Sequence, residues 1–212
     1  MEKIYLIGGL GVDERVFTFI ELKNYQKQVI YWLEPLKNEP LADYCKRLLI
    51  QIDTPEPVIA GVSFGGIVAC EIAKLIPVKQ VILISSLRSW KEMPWYFRIS
   101  GKLRLHKLIP LKIARHANKL IRWLFLVKDK EHKKFLMEIV GDTSPGYLKW
   151  AVNAVVNWKG EAPGNCLQIH GSKDNIFPLR YIKYPDMVLK NVGHFMIVQR
   201  AREVSTFIDK AI

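Results

Sequence analysis

Short runs that are apolar on both faces recur along this chain, and between them lie segments whose apolar residues fall at helical spacing. A strand apolar on both faces needs cover on both sides, and helices that alternate with such strands supply it, so the pattern argues for a parallel sheet wrapped by helices. "KIYLIGG" reads as a buried strand ending in glycines, and "QVIYWLEP" as a second strand closed by Pro35. Between them "DERVFTFIELKNY" places Val16, Phe17, Ile20 and, with slippage, Leu22 on one side of a short helix with Asp13 near its start. "PLADYCKRLLIQI" then spaces Leu41, Tyr44, Cys45, Leu48 and Leu49 on one helical face before the β-branched run "PVIAGVS". "GGIVACEIAKLI" is a helix ending before Pro77, and "QVILISS" is the next strand.

From Leu87 to Trp158 the character changes. No convincing strand is legible there, and "LKIARHANKLIRWLFLV" and "EHKKFLMEIV" are amphipathic at helical spacing. "TSPGYLKWAVNAVVNW" offers Ser144 as N-cap with Pro145 in the first helical position. The alternation resumes with the strands "NCLQIHGS" and "DMVLKNVGH" and a closing helix, "VQRAREVSTFIDKAI", with Val204, Phe207, Ile208 and Ile212 on one side. The reading is therefore one sheet domain, residues 1–86 and 159–212, interrupted by a helical insertion, residues 87–158. The net charge of +12 is concentrated in the insertion, which holds 15 Lys plus Arg against 5 Asp plus Glu.

A chain of 212 residues, half hydrophobic and one quarter charged, buries a substantial core and gives no argument for disorder. "MEKIYLIGGLG" has too short an apolar run for a secretory signal, and "IRWLFLV" is far short of a membrane span, so a soluble, cytoplasmic protein is expected. Cys45, Cys70 and Cys166 are widely separated, with no C-x-x-C pair and no histidine at ligand spacing; buried, reduced thiols are expected, and neither a metal nor a cofactor is implied.

Three turns carry residues with chemistry. In "GVSFG", Ser63 lies between a strand and a helix; Gly61 and Gly65 permit close approach of the two, and the helix N-terminus favours negative charge developing beside the serine. The competing reading is a glycine-rich turn. In "HGSKDNIFP", Asp174 follows a strand and lies on the sheet edge where Ser63 lies, suited to hold a histidine in one tautomer; an Asx turn is the alternative. In "NVGHFMIV", His194 follows the next strand, against the alternative of a surface histidine. Of the other histidines, His106, His116 and His132 sit among lysines in the insertion, and His170 precedes the Asp174 turn and supports it.

The order Ser63, Asp174, His194, each just beyond a strand, resembles the α/β-hydrolase superfamily, whose triad runs nucleophile, acid, histidine along the chain. The resemblance covers essentially the whole chain and includes the place where such enzymes insert a helical cap, so a small, cap-bearing serine hydrolase is implied. It implies a minimal α/β fold with a mostly parallel, roughly six-stranded sheet. It also implies an oxyanion hole made by the backbone N–H groups of Leu10 and Phe64. "LIGGLGVDERVF" departs from the family by carrying Gly8 where a histidine is usual. Only 20 positions separate Asp174 from His194, so the helix between them must be abbreviated.

The activity this implies is cleavage of a carboxylic ester or thioester through an acyl-enzyme. An acyltransferase or lyase on the same scaffold, or a low-turnover binding protein with a basic lid, is the alternative. Trp90, Trp95, Tyr96 and Phe97 at the start of the insertion are candidates for the substrate pocket, or else pack the insertion onto the core. The aromatics suit a hydrophobic small-molecule acyl substrate, and the basic residues suit an anionic one, an acidic carrier protein or a membrane surface, or are simply a solvated face; no nucleic-acid reading motif is present.

Overall fold

The computed structural model describes residues 1–103 and 118–211. Six strands, β1 (Glu2–Ile7), β2 (Tyr25–Ile30), β3 (Val58–Val62), β4 (Gln80–Ile84), β5 (Cys166–Gly171) and β6 (Met187–Leu189), form one sheet in the order β2-β1-β3-β4-β5-β6. Every neighbouring pair is parallel. The two-residue period of a strand divides the apolar runs between two cores. Ile4, Leu6, Val58, Ala60, Val62, Ile82 and Ile84 face one. Tyr5, Ile7, Ile59, Val81 and Leu83 face the other.

Each face receives its own cover. Val16 and Ile20 near β1, with Met196 and Ile197 of α7 (Met196–Gln199) and Val204 and Ile208 of α8 (Ala201–Lys210), close the first. Helices α1 (Leu41–Leu48) and α2 (Phe64–Ile72) close the second through Tyr44, Cys45, Leu48, Ile67 and Val68.

Several boundaries differ from the sequence reading for local reasons. The segment Glu14–Phe19 is a 3-10 helix rather than an α-helix; Asp13 caps it by accepting from Arg15 N at 3.1 Å, and six residues are short enough for that tighter winding. Strand β2 starts at Tyr25 and stops at Ile30, because its partner β1 ends at Ile7, opposite Ile30, where the glycine turn begins. Strand β6 is only Met187–Leu189: its neighbour β5 turns away after Gly171, which pairs with Leu189. The abbreviated helix between Asp174 and His194 is a single 3-10 turn, Leu179–Tyr181.

Between β4 and β5 come the 3-10 turn Trp90–Glu92 and helices α3 (Trp95–Lys102), α4 (Asn118–Phe125), α5 (Lys130–Asp142) and α6 (Pro145–Asn157). Ser144 caps α6 by accepting from Tyr147 N at 3.1 Å, with Pro145 as the first helical residue. Helix α3 lies so close to α6 that a Cβ on Gly101 would overlap the Val156 carbonyl oxygen. Leu136, Ile139 and Val140 of α5 join the first core, and Tyr147, Ala151 and Ala154 of α6 join the second. His106, His116 and the first part of "LKIARHANKLIRWLFLV" lie outside the described residues. No helix among the described residues is long and apolar enough to cross a membrane.

Candidate active site

Ser63 stands between β3 and α2 with φ 52° and ψ −115°, a left-handed backbone that L-residues rarely adopt. Its surroundings hold it there. The Ser63 N–H donates to Ile84 O at 2.9 Å, and the Ser86 hydroxyl donates to Ser63 O at 2.6 Å. The flanking glycines are required by contact: a Cβ on Gly61 would overlap Gly65 O, and a Cβ on Gly65 would overlap Gly8 O and Ile7 O. These two residues let α2 start directly against β3 and β1. Phe64, first residue of α2, has an N–H that precedes any intrahelical acceptor. The glycine turn after β1 approaches the serine from the other side, since a Cβ on Gly9 would lie 3.4 Å from Ser63 Cβ. Leu10 sits in this turn, which closes through Val12 N donating to Gly9 O at 3.2 Å.

Asp174 and His194 meet. They are 3 % and 2 % exposed, and His194 Nδ1 lies 2.7 Å from Asp174 Oδ2. A carboxylate only accepts, so the proton is on Nδ1 and Nε2 of the neutral ring is the basic atom. Nε2 is buried with no hydrogen-bond partner among the described residues. The Asx turn expected as an alternative for Asp174 exists alongside this bond, because Oδ1 accepts from Ile176 N and Phe177 N, each at 2.8 Å. One oxygen builds the turn and the other orients the histidine.

A second histidine lies behind the carboxylate. His170, fully buried on β5, has Nε2 at 2.7 Å from Phe177 O and 3.4 Å from Asp174 Oδ2. The carbonyl requires a proton on Nε2. Burial holds this ring below its ordinary value, against the opposing pull of Asp174, so it is uncharged at neutral pH.

The rings around His194 come from two directions. Phe177 is edge-on at 5.7 Å, and Phe125, at the end of α4, is edge-on at 5.4 Å. The end of α4 is tied to the loop that carries the acid and to the short helix that follows the histidine: Asn175 Nδ2 donates to Trp123 O at 2.6 Å and Gln199 Nε2 to Leu126 O at 3.3 Å. A Cβ on Gly193 would overlap that of Leu126. Phe125, Phe177, Asn175 and Gln199 were not legible as site residues, because an apolar ring or a lone amide carries no mark of what it faces.

The four aromatic candidates of the insertion separate. Phe97 packs edge-on against Phe177 at 6.4 Å and so reaches His194 through one intervening ring. Tyr96 lies between Trp95 and Phe97, Trp90 is half-buried with the Arg98 guanidinium 5.7 Å from its ring, and Trp95 is 55 % exposed. Two surface hollows of about 390 and 400 Å³ lie elsewhere; Arg88, Glu92 and Lys183 line the first, Glu34, Lys149 and Trp150 the second, and neither is walled by Ser63 or His194.

No protein-family model and no curated protein sequence matches the chain. Solved structures do. A lipase-esterase related protein from Clostridium acetobutylicum ATCC 824 superposes with a TM-score of 0.74 over 100 % of this chain and 94 % of its own, at 15 % identity. The chain has the α/β-hydrolase fold. A bromoperoxidase from Bacillus anthracis (TM-score 0.73, 13 % identity, 100 % and 92 % covered) shares it. So does an esterase from Exiguobacterium antarcticum (TM-score 0.71, 14 % identity, 100 % and 92 % covered). Within this α/β-hydrolase scaffold Gly8 has a local cause: a Cβ there would overlap Val12 O, so any side chain would displace the turn that carries Leu10.

Proposed function

We propose that this α/β-hydrolase-fold protein is a serine hydrolase that cleaves a carboxylic ester or thioester through an acyl-enzyme. The observation that carries the reading is the buried 2.7 Å bond from His194 Nδ1 to Asp174, which leaves Nε2 free to accept at the sheet edge where Ser63 is held at positive φ. Ser63 Oγ attacks the carbonyl carbon while His194 Nε2 takes its proton, and Asp174 stabilises the imidazolium. The N–H groups of Leu10 and Phe64 receive the oxyanion. As the tetrahedral species collapses, the bond to the alkoxide or thiolate breaks and the leaving group takes the proton from His194. Water then attacks the acyl carbon with the same histidine as base and releases the acid and Ser63.

In this reading residues 87–158 form a cap over a core of residues 1–86 and 159–212. Phe125 and Phe177 wall the histidine, and Phe97, with Trp90, Trp95 and Tyr96 at the start of the cap, extends the apolar lining. The esterases and lipase-related proteins among the structural neighbours support the hydrolase class.

Intact-mass measurement after treatment with a fluorophosphonate tests the proposal. One adduct, mapped to Ser63 and lost in Ser63→Ala, is expected; folded protein that takes up no adduct overturns it. Ser63→Ala and His194→Ala each lower kcat for a reactive phenyl ester by at least about a thousandfold, because the three residues act as a unit.

A further inference from the structure

Phe64, the residue after the nucleophile, sits in a box of aromatic rings that the chemistry above leaves unused. Trp32, just beyond the end of β2, stacks on Phe64 with centroids 5.5 Å apart and planes 17° from parallel. Tyr147 of α6 lies 5.3 Å from Trp32, and Trp150 lies 5.9 Å from Phe64 and 4.3 Å from Tyr44. Four of these rings carry a polar head, and they fall into two pairs. The Tyr44 hydroxyl donates to Leu33 O at 2.8 Å and accepts from Leu33 N at 3.0 Å, and Trp150 Nε1 donates to Glu39 O at 2.8 Å. Trp32 Nε1 and the Tyr147 hydroxyl are buried with no partner among the described residues.

A buried donor without an acceptor is costly, and two in one wall are not explained by packing. Their position suggests what completes them. Trp32 Nε1 lies 3.4 Å from where a Cβ on Gly8 would stand, at the root of the turn bearing Leu10, while its ring covers Phe64. Trp32 Nε1, and Tyr147 through its contact with the Trp32 ring, therefore stand beside the two segments, the Gly8–Leu10 turn and Phe64, whose amides the hydrolase reading assigns to the oxyanion. Tyr147 is 5 % exposed, and its neighbour in the box, Trp150, also walls the surface hollow of about 400 Å³ between residues 34–39 and α6.

We propose that Trp32 Nε1–H and Tyr147 O–H form the polar end of an acyl subsite, selecting esters whose acyl group carries a second hydrogen-bond-accepting oxygen near the carbonyl. This assignment rests on the hydrolase reading for the direction of the acyl chain. It makes both residues specificity determinants, and the apolar rings around them favour a short chain otherwise poor in charge.

Benzyl methoxyacetate and benzyl butyrate differ by an ether oxygen in place of one methylene, which makes them the probes. Ser63→Ala protein, which cannot turn either over, is titrated with each by ligand-observed NMR. The ether ester binds at least about fivefold tighter, the worth of one net hydrogen bond, and the difference falls to within twofold when Tyr147→Phe or Trp32→Phe is added. Tyr147→Phe alone leaves the melting temperature unchanged or raises it, since the oxygen removed has no partner to lose; a hydroxyl with a purely structural role would lower it. Equal affinity for the two esters, no measurable binding of either, or a preference that survives both substitutions overturns the subsite. Failure of the wild type to label with fluorophosphonate overturns the hydrolase reading instead, and the ether-against-methylene comparison still reads the subsite.

Discussion

Ser63, the proposed nucleophile, holds a backbone angle that a residue bearing a Cβ resists. A non-glycine residue held in so sparsely populated a conformation costs on the order of 1–3 kcal/mol, offset here by the Ile84 and Ser86 hydrogen bonds. Ser63→Gly therefore raises stability by about 1 kcal/mol, read as an increase of roughly 2–4 °C in melting temperature, while turnover disappears. Ser63→Ala keeps the Cβ and gains nothing comparable.

His170 gives a pH signature. Its folded value lies below the ordinary 6.5, so the unfolded chain binds a proton that the folded one refuses. Stability from this residue is complete above about pH 6.5 and is lost as pH falls from there toward the folded value, by at most about 1.4 kcal/mol per pH unit. Urea midpoints measured between pH 7.5 and 5 should fall in wild type and fall less in His170→Gln, which can still donate to Phe177 O. Asp174, His194 and Glu92 are the other charged or titratable groups that act on this ring, and the variant leaves them in place. At this scale residue type and turn chemistry coincide at Ser63, Asp174 and His194, which is why the sequence singles out those three as candidates. It was silent on Phe125 and Phe177, because nothing in a phenylalanine's neighbours in sequence says whether its ring meets a core or a histidine.

Among the elements, those with a strong local signal were legible and those defined by a partner were not. Helix α6 announced its start through Ser144 and Pro145, whereas the length of β6 depends on where β5 turns away, which its own residues do not encode. Removing the cap bond in Ser144→Ala costs about 1 kcal/mol, visible as a drop of roughly 2–4 °C in melting temperature. The end of α4 presents a different case, since it is held by side chains that reach it from a loop and from a short helix. Asn175→Ala and Gln199→Ala take away the side-chain bonds to Trp123 O and Leu126 O, and limited proteolysis should cut the segment between β4 and α5 faster in either variant than in wild type. Cutting at the wild-type rate in both would show that ring packing at Phe125 and Gly193 holds the helix unaided.

In the molecule as a whole, the alternating strands and helices were enough to give the layered architecture, because a run buried on both faces leaves few other arrangements. The pairing order β2-β1-β3-β4-β5-β6 is a property of the assembled sheet and became visible only there. The thiols report on its integrity. Cys45 and Cys70 are buried and Cys166 partly so; burial raises all three, the last to about 11. Native protein at pH 8 should react slowly with an aromatic disulfide reagent, first at Cys166, and all three should react at once in guanidinium chloride.

The closing helix α8 is sewn to the beginning of the fold. Val204 and Ile208 share a core with Val16 and Ile20, the Glu21 N–H donates to Ser205 Oγ at 3.1 Å, and the Lys23 N–H donates to the Asp209 carboxylate at 3.2 Å. Synthesis runs in the opposite sense. During translation β1, at the centre of one half of the sheet, is made before α8, and the core that β1 shares with Val16 and Ile20 stays incomplete until α8 has cleared the ribosome. Ser63 is likewise made long before His194, so under the proposed mechanism a nascent chain carries its nucleophile without a base until nearly the whole fold is in place.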